Sequence, residues 1–235
     1  MGAVPGGSVL SAPGVGGDAG AFDVEPLRTA GRRVVLRDVE RPTVVLGSTQ
    51  TGTVVDAERA SRSGVAVVRR RSGGGAVLLR PRAQVWADLW VPRGDPLWSA
   101  EPRASAIVVG EWWARALGSG RLSVHRGSPV PAPGSDVICF AGVGPGEVTW
   151  RGRKVVGLAQ WRSREGVLVH GCAYRRWDAG AIADLLSRPL ATRRALAAAI
   201  EDAAAGFDDL VSASWSEDAL LAVLPDPESW EVLRG

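Results

Sequence analysis

The sequence predicts an α+β fold, and three observations carry that expectation. Apolar runs of strand length, bounded by Gly, Pro and charged residues, recur between residues 33 and 174. Residues 84–91 alternate cleanly, with Val85, Ala87, Leu89 and Val91 on one face and Trp86, Asp88 and Trp90 on the other. Helical spacing is concentrated in one long segment, residues 98–117, and in the stretch after Tyr174.

Taken in order, residues 1–25 are rich in small residues and read as a flexible leader to a single domain over 26–235. Residues 33–37 and 43–47 read as strands separated by Glu40-Arg41-Pro42, and residues 55–63 as a short helix stopping near Gly64. Residues 65–79 run from an apolar strand into Arg69-Arg70-Arg71, then Ser72 and the triplet Gly73, Gly74, Gly75, then a second strand. Strand alternation turns Arg70 away from its two neighbours. The long helix carries Ala104, Ile107, Val108, Trp112 and Ala116 on one stripe and ends at Gly118.

A short strand over 122–125 and a Pro/Gly loop over 127–134 follow. Asp136 is expected at a strand start, and Cys139 within an apolar run where inert packing is the ordinary role of a thiol. Residues 147–150, 154–161 and 166–174 read as three strands, the first two joined by a tight turn at Arg151-Gly152. Helices are expected over 179–187, 190–205 and 216–223.

Composition narrows the function. With 46% apolar residues, the chain of 235 residues can bury a sizeable core. A net charge of +3 argues against a dedicated nucleic-acid binder. Two cysteines and two histidines make neither a disulfide framework nor a zinc-spaced cluster, so no metal site is expected. The first residues lack a basic, then continuously apolar, signal pattern, and no apolar run nears the roughly 18 residues of a membrane span. A cytoplasmic protein is the expectation.

Lys154 stands out because it is the one lysine among 28 basic residues. A chain this biased toward Arg keeps Lys where a compact ammonium on a flexible stem is needed, although chance retention at a surface is the plain alternative. Lys154 follows a turn and precedes a strand interrupted by Gly157, which costs stability unless something approaches the backbone there. The Gly73–Gly75 triplet is a candidate anion-binding loop or else a flexible hairpin tip; with no Lys-Ser/Thr after it, it is not a P-loop.

Four pieces stand in order: Val44-Val-Leu-Gly-Ser-Thr-Gln50, Arg69-Arg-Arg-Ser-Gly-Gly-Gly-Ala-Val77, Gly152-Arg-Lys-Val-Val-Gly-Leu-Ala-Gln160 and Val169-His-Gly171. Together they resemble the lipoate-protein ligase family, whose catalytic domain is shared with biotin protein ligases. The resemblance covers roughly residues 30–190. It implies a mixed, largely antiparallel sheet packed by helices, related to class II aminoacyl-tRNA synthetases. It also implies activation of lipoate or octanoate with ATP and Mg²⁺ to an acyl-adenylate. Transfer to a lysine of a lipoyl carrier domain follows, on a 2-oxoacid dehydrogenase E2 subunit or the glycine cleavage H protein.

By the resemblance, Lys154 neutralises the carboxylate and α-phosphate. Arg70, Ser72, Gly73, Gly74 and Gly75 shape the acyl and adenylate pocket, with Gly157 and Ala159 on the strand beneath it. Asp136 orients the incoming amine, and His170 stands beside the site or serves as an ordinary structural histidine.

The chain departs from the family pattern. Leu79-Arg80 replaces the His-Asp pair after the glycine loop, Ser135-Asp136 replaces Asn-Asp, and no small C-terminal accessory domain is evident, so a separate accessory protein is one expected partner. Cys139 ahead of Gly152-Arg-Lys154 resembles the octanoyl and lipoyl transferases of the same family. These pass the acyl group from an acyl carrier protein or lipoyl domain through a cysteine, without ATP. A degenerate member that only binds an acyl-adenylate or acyl carrier is the third alternative.

Overall fold

Residues 84–91 become the axis of the molecule. The computed structural model describes residues 10–11, 28–118 and 120–235. The strands are β1 (Leu10–Ser11), β2 (Arg32–Leu36), β3 (Thr43–Leu46), β4 (Ala66–Arg69), β5 (Val77–Leu79), β6 (Gln84–Pro92), β7 (Leu122–Val124), β8 (Val148–Trp150), β9 (Arg153–Arg162), β10 (Gly166–Tyr174) and β11 (Trp230–Arg234). The helices are α1 (Ala57–Arg62), α2 (Pro102–Ala116), α3 (Ala179–Ala183), α4 (Leu190–Glu201) and α5 (Asp218–Ala222). Apart from β1, the segment read as a leader lies outside the described residues.

Among the described residues the strands form an eight-stranded sheet, ordered β1-β11-β2-β6-β10-β9-β8-β7, and a three-stranded sheet, β4-β3-β5. From β2 through β6, β10, β9 and β8 to β7 every pairing is antiparallel. The parallel pairs are β1 with β11, β11 with β2, and β3 with β4. The expected mixed, largely antiparallel sheet is therefore the one observed.

The alternation along β6 separates two interfaces. Val85, Ala87, Leu89 and Val91 join Val34, Leu36, Val167, Val169 and the tryptophans of α2 in the largest core. Trp113 there is fully buried. An aromatic of that size contributes roughly 4–6 kcal/mol of transfer free energy, before entropy, at about 25 cal/mol per Å² over 150–250 Å². The other face of β6 and β10 meets the small sheet: Trp86, Cys172 and Tyr174 pack against Val45, Val77, Leu79 and Phe140. Beyond the small sheet, α1, α3 and α4 close a further core through Ala60, Ile182 and Ile200.

Several boundaries moved for identifiable reasons. The long helix begins at Pro102 rather than residue 98, because Glu101 before the proline is held extended at φ −88°, ψ 115°. α4 stops at Glu201, short of residue 205. The chain then leaves the helix and brackets Lys154: Lys154 N donates to the Ala203 carbonyl and Ala205 N to the Lys154 carbonyl, both at 2.8 Å. β11 was not anticipated, since its pattern is weak until Trp230 and Leu233 are buried against β2. Arg151-Gly152 does form the hairpin turn, with φ of 51° and 82°. No helix among the described residues is long and apolar enough to cross a membrane.

Candidate active site

The two sheets leave a narrow cleft between them, bordered by Arg70, Trp86, Cys139, Gly157, Ala159, His170 and Cys172, with Val77 and Leu158. Register explains why residues far apart in sequence meet there. Cys172 pairs with Gly157 and Trp86, and His170 with Ala159 and Asp88, so one row of each of three strands points the same way.

Gly73, Gly74 and Gly75 do not themselves border the cleft, but Arg70, which does, holds their loop. Arg70 is 2% exposed, and its guanidinium is held from several sides. It donates to Ser72 Oγ (3.0 Å) and to the carbonyls of Val45 (3.1 Å), Gly73 (2.7 Å) and Gly75 (2.9 Å). Arg70 thus staples the loop. Among the described residues no carboxylate pairs with it, so burial lowers its pKa and it places a positive charge beside Cys139. No hydrogen-bond acceptor meets the amides of Gly73, Gly74 or Gly75 among the described residues.

Cys139 does not lie in a strand. It sits in a turn tied to the loop's end, where Ala76 N donates to the Val137 carbonyl (2.7 Å) and Cys139 N to the Ala76 carbonyl (3.0 Å). A Cβ on Gly75 would stand 2.5 Å from Cys139 N, so only glycine lets loop and turn approach this closely. Gly157 is glycine for a related reason. A Cβ there would meet the Phe140 ring at 3.1 Å and Cys139 Sγ at 3.4 Å. Phe140 is buried against Tyr174 and Trp177 and anchors the turn. Asp136, expected at a strand start, is instead exposed in this turn and does not border the cleft.

Lys154 is almost completely buried behind Cys139. Its ammonium donates to the Cys139 carbonyl at 2.6 Å and pairs with Glu147 Oε2 at 2.7 Å. Glu147 is satisfied further by Gly144 N (2.5 Å) and Leu158 N (3.1 Å). The pair is thus a buried ion pair with further hydrogen bonds on both sides, which offset part of its desolvation. Glu147 was read only as a strand start. Its partner seven residues on is reached through the Arg151-Gly152 hairpin, a proximity that strand assignment alone does not reveal.

A second polar cluster stands on the sheet. His170 Nδ1 and Asp88 Oδ1 are 2.5 Å apart, Trp86 Nε1 donates to the same oxygen at 2.7 Å, and Arg37 Nε donates to Asp88 Oδ2. Asp88 is wholly buried. Burial alone would raise its pKa, but Arg37 and His170 outweigh it and hold the carboxyl well below the usual range. Asp88 was visible in sequence as the one charge between two tryptophans on a buried strand; Arg37 carried no such signal. Burial also pushes the Cys139 thiol up, with Lys154 and Arg70 partly opposing.

Residues 27–216 match the model of the lipoyl protein ligase A/B catalytic domain. The chain belongs to that family. Its members are enzymes, ligases or acyltransferases of lipoate metabolism. Among curated relatives, the octanoyltransferase LipM of Kyrpidia tusciae is 32% identical over 192 residues, covering 76% of this chain and 69% of the relative. Among solved structures, a bi-partite lipoate protein ligase of Thermoplasma acidophilum, analysed with its E2 lipoyl domain, is similar with a TM-score of 0.68 and 18% identity, over 97% of this chain and 84% of its own. Lipoate-protein ligase A bound with ATP gives 0.60 at 18% identity, over 87% and 75%. Those structural likenesses establish the fold, which is the one expected.

Proposed function

We propose that this family member is an ATP-independent acyltransferase working through Cys139. The observation that carries the reading is the division of labour in the site. Cys139 borders the cleft, whereas the ammonium of Lys154 is already engaged by Glu147 and by the Cys139 carbonyl. A lysine neutralised by a buried carboxylate is poorly suited to receive an adenylate phosphate. It is well suited to hold the cysteine turn, and its ammonium only partly opposes the rise that burial and Glu147 impose on the thiol. The similarity to an octanoyltransferase supports the same reading.

In this reaction the Cys139 thiolate attacks the carbonyl of an octanoyl or lipoyl thioester on a carrier. The carbon–sulfur bond to Cys139 forms as the donor thiol leaves. The amine of a lysine on a lipoyl carrier domain then attacks the new thioester, forming the amide and releasing the Cys139 thiol. The buried charge of Arg70, which borders the cleft, is suited to stabilise the oxyanion of both steps.

A second reading, ATP-dependent ligation of free lipoate or octanoate, is favoured by the Gly73–Gly75 amides, which meet no acceptor among the described residues, and by Arg70, since both suit a phosphate. Intact mass separates the two. A lipoyl carrier domain should gain an octanoyl group from octanoyl–acyl carrier protein without ATP, with an acyl adduct on the enzyme that Cys139→Ser abolishes. A gain from free octanoate that requires ATP and Mg²⁺ and survives Cys139→Ser would overturn the transferase reading in favour of the ligase.

A further inference from the structure

The cleft has a direction, and strand register sets it. Gly157 on β9, Cys172 on β10 and Trp86 on β6 lie opposite one another and form one row across the sheet. Cys139 stands at the β9 end of that row, because a Cβ on Gly157 would lie 3.4 Å from its Sγ. These residues and Cys139 all border the cleft. Neighbouring strands lie roughly 5 Å apart, so Gly157 and Trp86 are separated by roughly 10 Å. An acyl chain joined to Cys139 and laid across the row meets Cys172 and Val77 along its length and Trp86 at its end. The cleft does not extend the other way, along β9. Trp161, the next residue of that face after Ala159, does not border it, and the Arg71 guanidinium lies 5.8 Å from the centroid of the Trp161 ring.

Trp86 is held as a wall is held. It is 3% exposed and packs in one apolar cluster with Val77, Phe140, Cys172 and Tyr174. Its Nε1 donates to Asp88 Oδ1 at 2.7 Å, and Asp88 is itself bound by His170 and Arg37. Behind Trp86 the row continues into Arg37, whose backbone N donates to the Trp86 carbonyl at 2.9 Å and whose guanidinium pairs with Asp88. A chain that reaches the indole therefore cannot push it aside without breaking a buried hydrogen bond to a charged group, and such bonds are the costly ones to lose.

We infer that Trp86 is the end wall of the acyl subsite and the specificity-determining residue for acyl chain length. The inference rests on the acyltransferase reading and narrows the substrate class of that same site to medium-length acyl thioesters. An extended octanoyl chain is about as long as the row from Gly157 to Trp86. A chain longer by two methylenes meets the indole. In a hydrophobic pocket a single methylene changes discrimination by about 10–200-fold, so a rigid wall is enough to select.

The test is a competition among hexanoyl, octanoyl, decanoyl and dodecanoyl thioesters of acyl carrier protein at equal concentration. Acyl adducts on Cys139 are read by intact mass after a short exposure. Ratios among adducts do not depend on how much of the protein is folded, so a purely structural loss leaves them unmoved. Wild-type enzyme should favour octanoyl over decanoyl by about tenfold or more. Trp86→Ala should raise decanoyl and dodecanoyl relative to octanoyl by about tenfold or more, and Trp86→Phe should do so to a smaller extent. Cys172→Leu fills the row short of Trp86 and should shift the preference the opposite way, toward hexanoyl. Wild-type ratios in both Trp86 variants would overturn the inference, as would wild-type enzyme that loads dodecanoyl as readily as octanoyl. If Trp86→Ala does not fold, Trp86→Phe and Cys172→Leu decide the matter, and unchanged ratios in both overturn it. Wild-type enzyme that forms no adduct with any of the donors would instead show that the acyltransferase reading itself has failed, and this inference with it.

Discussion

The two faces of the eight-stranded sheet are made by the same strands and do opposite things. On the α2 side, β6 and β10 contribute Val85, Ala87, Leu89, Val91, Val167 and Val169 to a dry core. On the other side they contribute Trp86, Asp88, His170 and Cys172, with Arg37 fixed to Asp88 and Arg70 bordering the same cleft. Strand alternation allows this, since each successive residue changes face. The contrast teaches where stability and chemistry are separated. The apolar face tolerates no charge, while the cleft face buries several and keeps them folded by pairing each with a carboxylate or with backbone carbonyls.

The largest break in that contrast should come from unpairing a charge. Lys154→Met leaves Glu147 buried without its partner and is expected to cost about 3–5 kcal/mol, read as a shift in the urea midpoint, and to abolish acyl transfer. The double variant Lys154→Met/Glu147→Gln should recover much of the stability and none of the transfer. Recovery of neither would mean that the lysine's bond to the Cys139 carbonyl, and not the ion pair, holds the turn.

A somewhat smaller loss should follow on the dry face. Leu89→Ala removes a fully buried side chain and should cost about 2–5 kcal/mol. The specific activity of the protein that remains folded should be unchanged. An equal loss of activity per folded molecule would show that the faces are coupled through β6.

The mildest probe compares the two thiols. Burial raises the pKa of Cys139 and raises that of Cys172 well above the ordinary value. A raised thiol pKa means less thiolate at neutral pH, so alkylation by iodoacetamide should be slow there. For Cys139 it should rise about tenfold per pH unit, with a midpoint above roughly 8.5. Cys172, behind Cys139, should react only once the protein unfolds. A Cys139 that alkylates fully at pH 6 would mean that Lys154 and Arg70 outweigh burial.

Much of this architecture was legible in the residues. The alternation of β6, the Arg151-Gly152 hairpin and the three strands leading to Tyr174 are local patterns, and local patterns survive folding when they agree with the core. The stripe expected on α2 was misplaced, since Ala106, Val109, Trp112, Trp113 and Ala116 are buried while Ala104, Ile107 and Val108 are only half-buried. Lys154, the glycine triplet and His170 were visible as departures from composition or as pieces resembling a family. Less visible were features set by distant partners. Asp88 and His170 lie 82 residues apart and Arg37 and Asp88 lie 51 apart. The helix over 190–205 was overestimated because Ala203 and Ala205 are good helix formers claimed instead by the backbone of Lys154.

The sequence by itself determined the types of most elements, β11 and the turn around Cys139 excepted, together with the two-faced character of the central strands and the family. Periodicity and motif order are properties of the chain, whatever its final packing. Tertiary structure alone decided what each polar residue does. It paired Lys154 with Glu147, made Arg70 the staple of a loop, turned Cys139 out of a strand onto a cleft wall and left His170 Nε2 without a partner among the described residues. The physical reason is that a buried charge or hydrogen-bonding atom takes its role from whichever groups surround it, and strand pairing and loop closure choose those groups across the whole chain.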